Sequence, residues 1–183
     1  MRHGETDWNR ENRIMGQQDI PLNAKGIAQV CHASLLLENE GINRLVASPL
    51  ARAKQSAEII GAHLNLDIEF FEDLKEINWG EVEGKIQDPD KLLKAWIKGK
   101  TPPQAESFHA FQSRISDVFL RILKADQKVL ILSHGGVYLA LMSFMGYKKE
   151  STHNAVPFFF RPPLQEAQPW FVCPLESNER GNG

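Results

Sequence analysis

Two corners of this chain set a histidine beside glycine: Arg2-His3-Gly4-Glu5-Thr6 and, far downstream, Ser133-His134-Gly135-Gly136. A neutral imidazole can attack phosphorus through a ring nitrogen and form a covalent intermediate. An adjoining arginine offers a planar fork of donors matched to phosphate oxygens. A glycine lets the backbone approach an anion, because no Cβ stands between them. A tripeptide of this kind also suits a plain surface loop. The elements around it have to decide.

Those elements alternate between short apolar runs and amphipathic stretches of helical length. Val129–Leu132 reads as a strand covered on both faces, and His134 stands at its carboxyl end, ahead of a helix from Gly136 to Met145. Leu45–Ala47 is a second strand. Ser48-Pro49 then reads as N-cap and first helical residue, opening a helix with Arg52, Ala53, Ala57, Ile60 and Leu64. In open α/β sheets ligands lie beyond the carboxyl ends of strands, where helix N-termini present free N–H groups and a dipole that favours phosphate. Taken singly, His134 also fits a strand-end histidine bonding a loop carbonyl, and Arg52 a solvated helix charge.

Asn23 predicts a helix cap, with the helix running to about Asn39, Gly41 as its stop and Ile27, Val30, Cys31 and Leu35 on one face. A strand is predicted at Ile68–Phe71. Ser107 opens a long helix that buries Phe108, Phe111, Ile115, Val118, Phe119 and Ile122. Late strands are predicted at Phe158–Arg161 and Trp170–Cys173. Between them the alternation predicts a three-layer α/β/α sandwich with a mostly parallel central sheet. The stretch of about 77–106 reads as a short insertion over one sheet edge, with a helix near Leu92–Ile97. Residues 1–183 form one expected domain, with a disordered tail at 175–183.

The formal net charge of −2 gives no electrostatic footprint for nucleic acid or for an anionic membrane. An anion site must therefore be a local cluster of basic groups, which suits a small phosphorylated metabolite. No apolar run approaches the ~18 residues of a membrane span. Cys31 and Cys173 lie far apart, and cytoplasmic residence is the expectation. His32, His63, His109 and His153 lack ligand spacing, so neither a metal nor another cofactor is expected.

Jointly the motifs resemble the histidine phosphatase superfamily, whose best-known branch is the cofactor-dependent phosphoglycerate mutases. The opening motif is Arg2-His3-Gly4-Glu5-Thr6 with Trp8-Asn9, followed by Gly16, Asp19, Pro21, Leu22 and Gly26. Ser48-Pro49-Leu50, Arg52-Ala53 and Gln55-Ser56-Ala57 match the second motif. Glu76 with Gly80 and Glu83-Gly84 matches the third, Ser133-His134-Gly135-Gly136 the last, and Asn154-Ala155 a smaller downstream signature. The resemblance implies a phosphoglycerate mutase-like fold, with most of its first strand missing ahead of Arg2. Either further residues precede Met1, or the chain is shortened, or another segment fills the slot. If the chain starts at Met1, a His3 that is mobile or pinned only by an anion and low activity are expected, with an apolar upstream strand restoring the rate.

By the same resemblance His3 is the nucleophile that becomes phosphorylated and Glu76 the proton donor. Arg2, Asn9, Arg52, His134 and Gly135 surround the phosphoryl group, with His134 also counted as catalytic. Glu106 is similar to a family corner whose two glycines are replaced here, and is read as a supporting or capping residue. A mutase needs an enclosed, extra-basic pocket. The only basic residues in Ile77–Ala105 are Lys85, Lys91, Lys94, Lys98 and Lys100, which favours hydrolysis and the small phosphatase branch. A phosphoglycerate mutase is the first alternative and an inactive phosphate-ligand binding module the second.

Overall fold

The computed structural model describes residues 1–123, 127–147, 152–163 and 169–175. Its centre is a parallel sheet of β2 (Ile68–Phe70), β1 (Arg44–Ala47) and β3 (Val129–Leu132), in that order. Successive strand residues point to opposite faces, and each face has its own cluster. Leu45, Ala47, Leu130 and Leu132 pack with α2 (Ala24–Leu37) and α3 (Ala51–Leu64). Val46, Val129 and Ile131 pack with α5 (Phe108–Ile122) and α6 (Gly135–Phe144). Each fully buried aliphatic side chain here contributes about 1.5–3 kcal/mol.

Local sequence sets most helix starts. The Asn23 side chain accepts from Gly26 N–H, and Ser107 accepts from Ala110 N–H. Asp88 caps α4 (Pro89–Ile97), which has proline at its first position. A helix not expected from the sequence, α1 (Asp7–Arg10), is closed by a capping box between Thr6 and Asn9. Beyond β3, β4 (Phe158–Arg161) and β5 (Phe171–Pro174) form a separate antiparallel pair.

Two expectations are corrected. The buried face of α2 is Gly26, Val30, Ala33, Ser34 and Leu37, while Ile27, Cys31 and Leu35 are exposed. Close approach selects small residues there, a signal that hydrophobicity does not carry. The cap of α3 is Leu50, with no side-chain bond, because Ser48 is buried and engaged by His134.

The chain's first residues behave as the end of a strand. Arg2 bridges Ser133 in parallel, His3 N–H donates to Ser133 O, and Ser133 N–H donates to Met1 O. Ala155 N–H, the Asn154 amide and the Arg2 guanidinium fasten the same stub to residues 152–155. His3 is joined to Ser133 by a ladder bond and to Ala155 and Asn154 through its carbonyl. Upstream of the stub, a cavity of about 660 Å³ lies along β3, walled partly by Met1, Ile131, Phe158 and Phe160. Among the described residues, no helix is long and apolar enough to cross a membrane. The tail beyond residue 175 lies outside the described residues.

Candidate active site

His3 enters the site from the paired stub, and His134 from the turn after β3; their ring centroids are 5.4 Å apart. Arg52 reaches them from the first turn of α3, with Nε 3.2 Å from His3 Nε2. All three are nearly sealed from solvent, at 2%, 0% and 1% exposure for His3, His134 and Arg52. A guanidinium only donates, so His3 Nε2 is the acceptor. The ring proton then sits on Nδ1, 2.7 Å from Gly4 O. The tautomer is fixed with a lone pair on Nε2.

Burial pushes the His3 pKa well below the usual histidine value, and the charges of Arg52 and Arg2 push the same way. His134 is lowered likewise, by burial first and then by Arg52, His3 and Arg2. Burial also lowers Arg52, to about 10, and lowers Arg2 from its usual value. Both shifts favour the neutral rings.

The Arg52 fork is spread over three acceptors: His3 Nε2, Gln18 O at 2.9 Å and Gly16 O at 2.7 Å. Arg2 donates through one terminal nitrogen to Thr152 O at 3.0 Å, while its buried Nε meets no partner among the described residues. His134 bonds Ser48 Oγ at 2.7 Å through Nε2, and its buried Nδ1 is likewise unpartnered. Orphaned buried polar atoms are rare and costly. Arg2 Nε and His134 Nδ1 are thus two buried polar atoms of this corner with donor or acceptor capacity to spare.

Glu76 closes the opposite side. Its carboxylate accepts from Ile77 N–H and from Gly136 N–H, each at 3.0 Å, at the start of α6. Gly135 lies beside Arg2, whose guanidinium carbon is 3.7 Å from where a Gly135 Cβ would stand. The Asn9 oxygen accepts from Thr6 N–H and from the Asn154 amide, which itself donates to His3 O. Arg2, His3, Arg52, Glu76, His134 and Gly135 therefore converge, and Asn9 is tied in through Asn154. Glu106 stands apart in a two-pronged ion pair with Arg114, which also donates to Asp73 O and Lys75 O.

Sequence reading missed the tasks of Ser48, Ser56, Gln17 and Gln18. Ser56 accepts from Gly4 N–H and donates to Arg52 O. Chemically, the site offers a directed imidazole lone pair, the buried Arg52 guanidinium, the half-buried Arg2 and a carboxylate, with net positive charge where an anion fits. Among the described residues, no cluster of His, Cys, Asp or Glu is arranged to hold a metal.

The model of the histidine phosphatase superfamily (branch 1) matches residues 1–156. The chain is 34% identical over 151 residues to a Bacillus subtilis (strain 168) protein named "Uncharacterized phosphatase PhoE", covering 78% of this chain and 74% of that one. It is 34% identical over 146 residues to "Probable phosphoglycerate mutase GpmB" of Escherichia coli O1:K1 / APEC, covering 74% and 67%. Among solved structures, TTHB049 from Thermus thermophilus superposes with a TM-score of 0.70 at 32% identity, covering 85% and 87%. The α/β fold is that of the phosphoglycerate mutase-like proteins. With a family match over most of its length, this chain belongs to the histidine phosphatase superfamily.

Proposed function

We propose that the chain is a phosphatase that hydrolyses a small phosphorylated metabolite through a phosphohistidine on His3. The observation that carries this reading is the His3 Nε2 lone pair, fixed by Gly4 O and faced by the buried Arg52. On binding, Arg52 and Arg2 turn donors to the phosphoryl oxygens, with Asn9, His134 and the Gly135 backbone beside them. His3 Nε2 attacks phosphorus, the ester P–O bond breaks, and Glu76 hands its proton to the leaving oxygen. Water then attacks the phosphohistidine, Glu76 takes its proton, and inorganic phosphate leaves with His3 neutral again. Two arginines supply the charge stabilisation that phosphoryl transfer chiefly needs.

Hydrolysis is favoured over mutase chemistry by the 77–106 stretch. Its lysines, Lys85, Lys91, Lys94, Lys98 and Lys100, are all exposed, and α4 instead turns Trp96 into the core. The mutase reading rests on the relative named for that activity. The test is a panel of phosphorylated metabolites that includes phosphoglycerates with and without a bisphosphorylated primer. Release of inorganic phosphate that vanishes in His3→Ala is the expected result. Primer-dependent isomerisation without phosphate release overturns it in favour of the mutase. No turnover of any ester, with phosphate still bound, favours a binding module.

A further inference from the structure

None of the steps above uses the Glu83 carboxylate, yet it is the most heavily engaged acid near the site. Its Oε1 accepts from Gln17 N–H and from Trp79 N–H, each at 3.0 Å, and its Oε2 accepts from the Gln18 amide at 2.9 Å. It joins two segments 66 positions apart. One segment carries the carbonyls of Gly16 and Gln18 that grip the Arg52 fork. The other carries Glu76, whose own carbonyl accepts from the Gln17 side chain at 3.0 Å. Gly16 turns there with φ of +54°, and a Cβ on it would stand 2.0 Å from Glu83 Oε1. The carboxylate thus packs directly on bare backbone.

We infer that Glu83 is a positioning residue that sets the Arg52 fork and Glu76 in register across the site, acting through the Gly16–Gln18 loop; the catalytic part of this inference rests on the phosphatase reading. Arg52 keeps its direction toward His3 only while two carbonyls hold its terminal nitrogens. Glu83 braces that loop through the Gln17 N–H and the Gln18 amide, beside the Gln18 N–H bond to Met15 O and the Gln17 side-chain bond to Glu76 O. The same carboxylate fixes Trp79, close behind Glu76. One acid therefore controls the span between the anion clamp and the proposed proton donor. An ordinary loop buttress would influence stability alone.

The test compares Glu83→Ala and Glu83→Gln with the parent chain in three measurements. These are kcat and KM for an aryl phosphate across pH, vanadate binding by calorimetry, and exchange of the Arg52 Nε–H followed by NMR. In Glu83→Ala, kcat falls by about 10–100-fold, as misplacement of about 1 Å implies, vanadate binds more weakly, and the Nε–H exchanges faster. Glu83→Gln recovers most of the rate, because its amide oxygen accepts the same two backbone N–H groups. Unchanged turnover and vanadate affinity in Glu83→Ala overturn the inference. So does equal damage in both variants that tracks a lowered melting temperature. If Glu83→Ala does not fold, Glu83→Asp takes its place, with the carboxylate drawn back by one carbon. Should the parent chain hydrolyse no ester, the phosphatase reading fails by itself. Arg52 Nε–H exchange then still decides the role of Glu83, and no change in the variant overturns it.

Discussion

The distribution of the Arg52 donors decides what its replacement does. One of its N–H groups faces His3 and two face fixed carbonyls, so the fork arrives at an anion already oriented. Arg52→Ala should weaken vanadate or phosphate binding by about 1.5–3 kcal/mol, the worth of a charged hydrogen bond. Arg52→Lys keeps the charge but not the fork, and should recover only part of that loss. Competitive inhibition by vanadate measures both; equal inhibition constants in all three chains would remove Arg52 from the anion site. The convergence of Arg2, His3, Arg52, Glu76 and His134 was legible in the sequence, because each lies in a short motif. The Gly16 and Gln18 carbonyls were not legible. Backbone acceptors have no residue signature, and their placement depends on a loop held by a distant carboxylate.

At the scale of elements, two glycines in helix first turns should respond differently to alanine. Isolated helices gain about 1 kcal/mol from glycine to alanine. At Gly26 in α2, however, a Cβ would stand 2.1 Å from Glu5 O, which is backbone. Gly26→Ala should therefore cost stability, about 1–3 kcal/mol as for overpacking, and lower the urea midpoint. At Gly136 in α6 a Cβ would meet side chains instead, Glu76 Oε1 at 2.2 Å and the buried Ile77 Cδ1 at 2.8 Å. Gly136→Ala should lower the midpoint less than Gly26→Ala but displace Glu76 and cut kcat. The converse pattern in urea titration and turnover would show that these contacts are misassigned. Helix starts capped by Asn23, Asp88 and Ser107 could be read locally, since the cap bond spans a few residues. The face of α2 could not, because Gly26, Ala33 and Ser34 are selected by how closely a neighbour approaches.

For the whole molecule, the buried rings tie stability to pH. His3 and His134 have pKa values depressed well below 6.5 in the folded chain, and near 6.5 in the unfolded one. Below that pH the unfolded chain takes up protons that the folded chain refuses, so stability is complete above about 6.5 and falls as pH drops. Each ring contributes a slope of up to about 1.4 kcal/mol per pH unit. Urea midpoints between pH 6.5 and 5 should show this loss, and His134→Gln should reduce its slope; a flat profile would contradict the burial of the two rings. Vanadate is expected to bind the folded chain alone, and at a hundred times its Kd should add about 2.7 kcal/mol at neutral pH. A melting temperature indifferent to vanadate would refute the anion site.

The pairing of the first residues with distant partners also sets an order of events in folding. Met1 and Arg2 reach partners 130 and 150 positions away, whereas the edge-to-face rings of Trp96, Phe108 and Phe111 are near neighbours along the chain. Closing a long loop costs chain entropy before any contact repays it, and non-local parallel pairing is slow. The aromatic cluster therefore condenses early, and His3 docks against Ser133 among the last events. In stopped-flow refolding, tryptophan fluorescence should recover ahead of vanadate binding and turnover. A chain released before Ser133 and residues 152–155 are added would carry a formed aromatic core and an open, inert corner at His3.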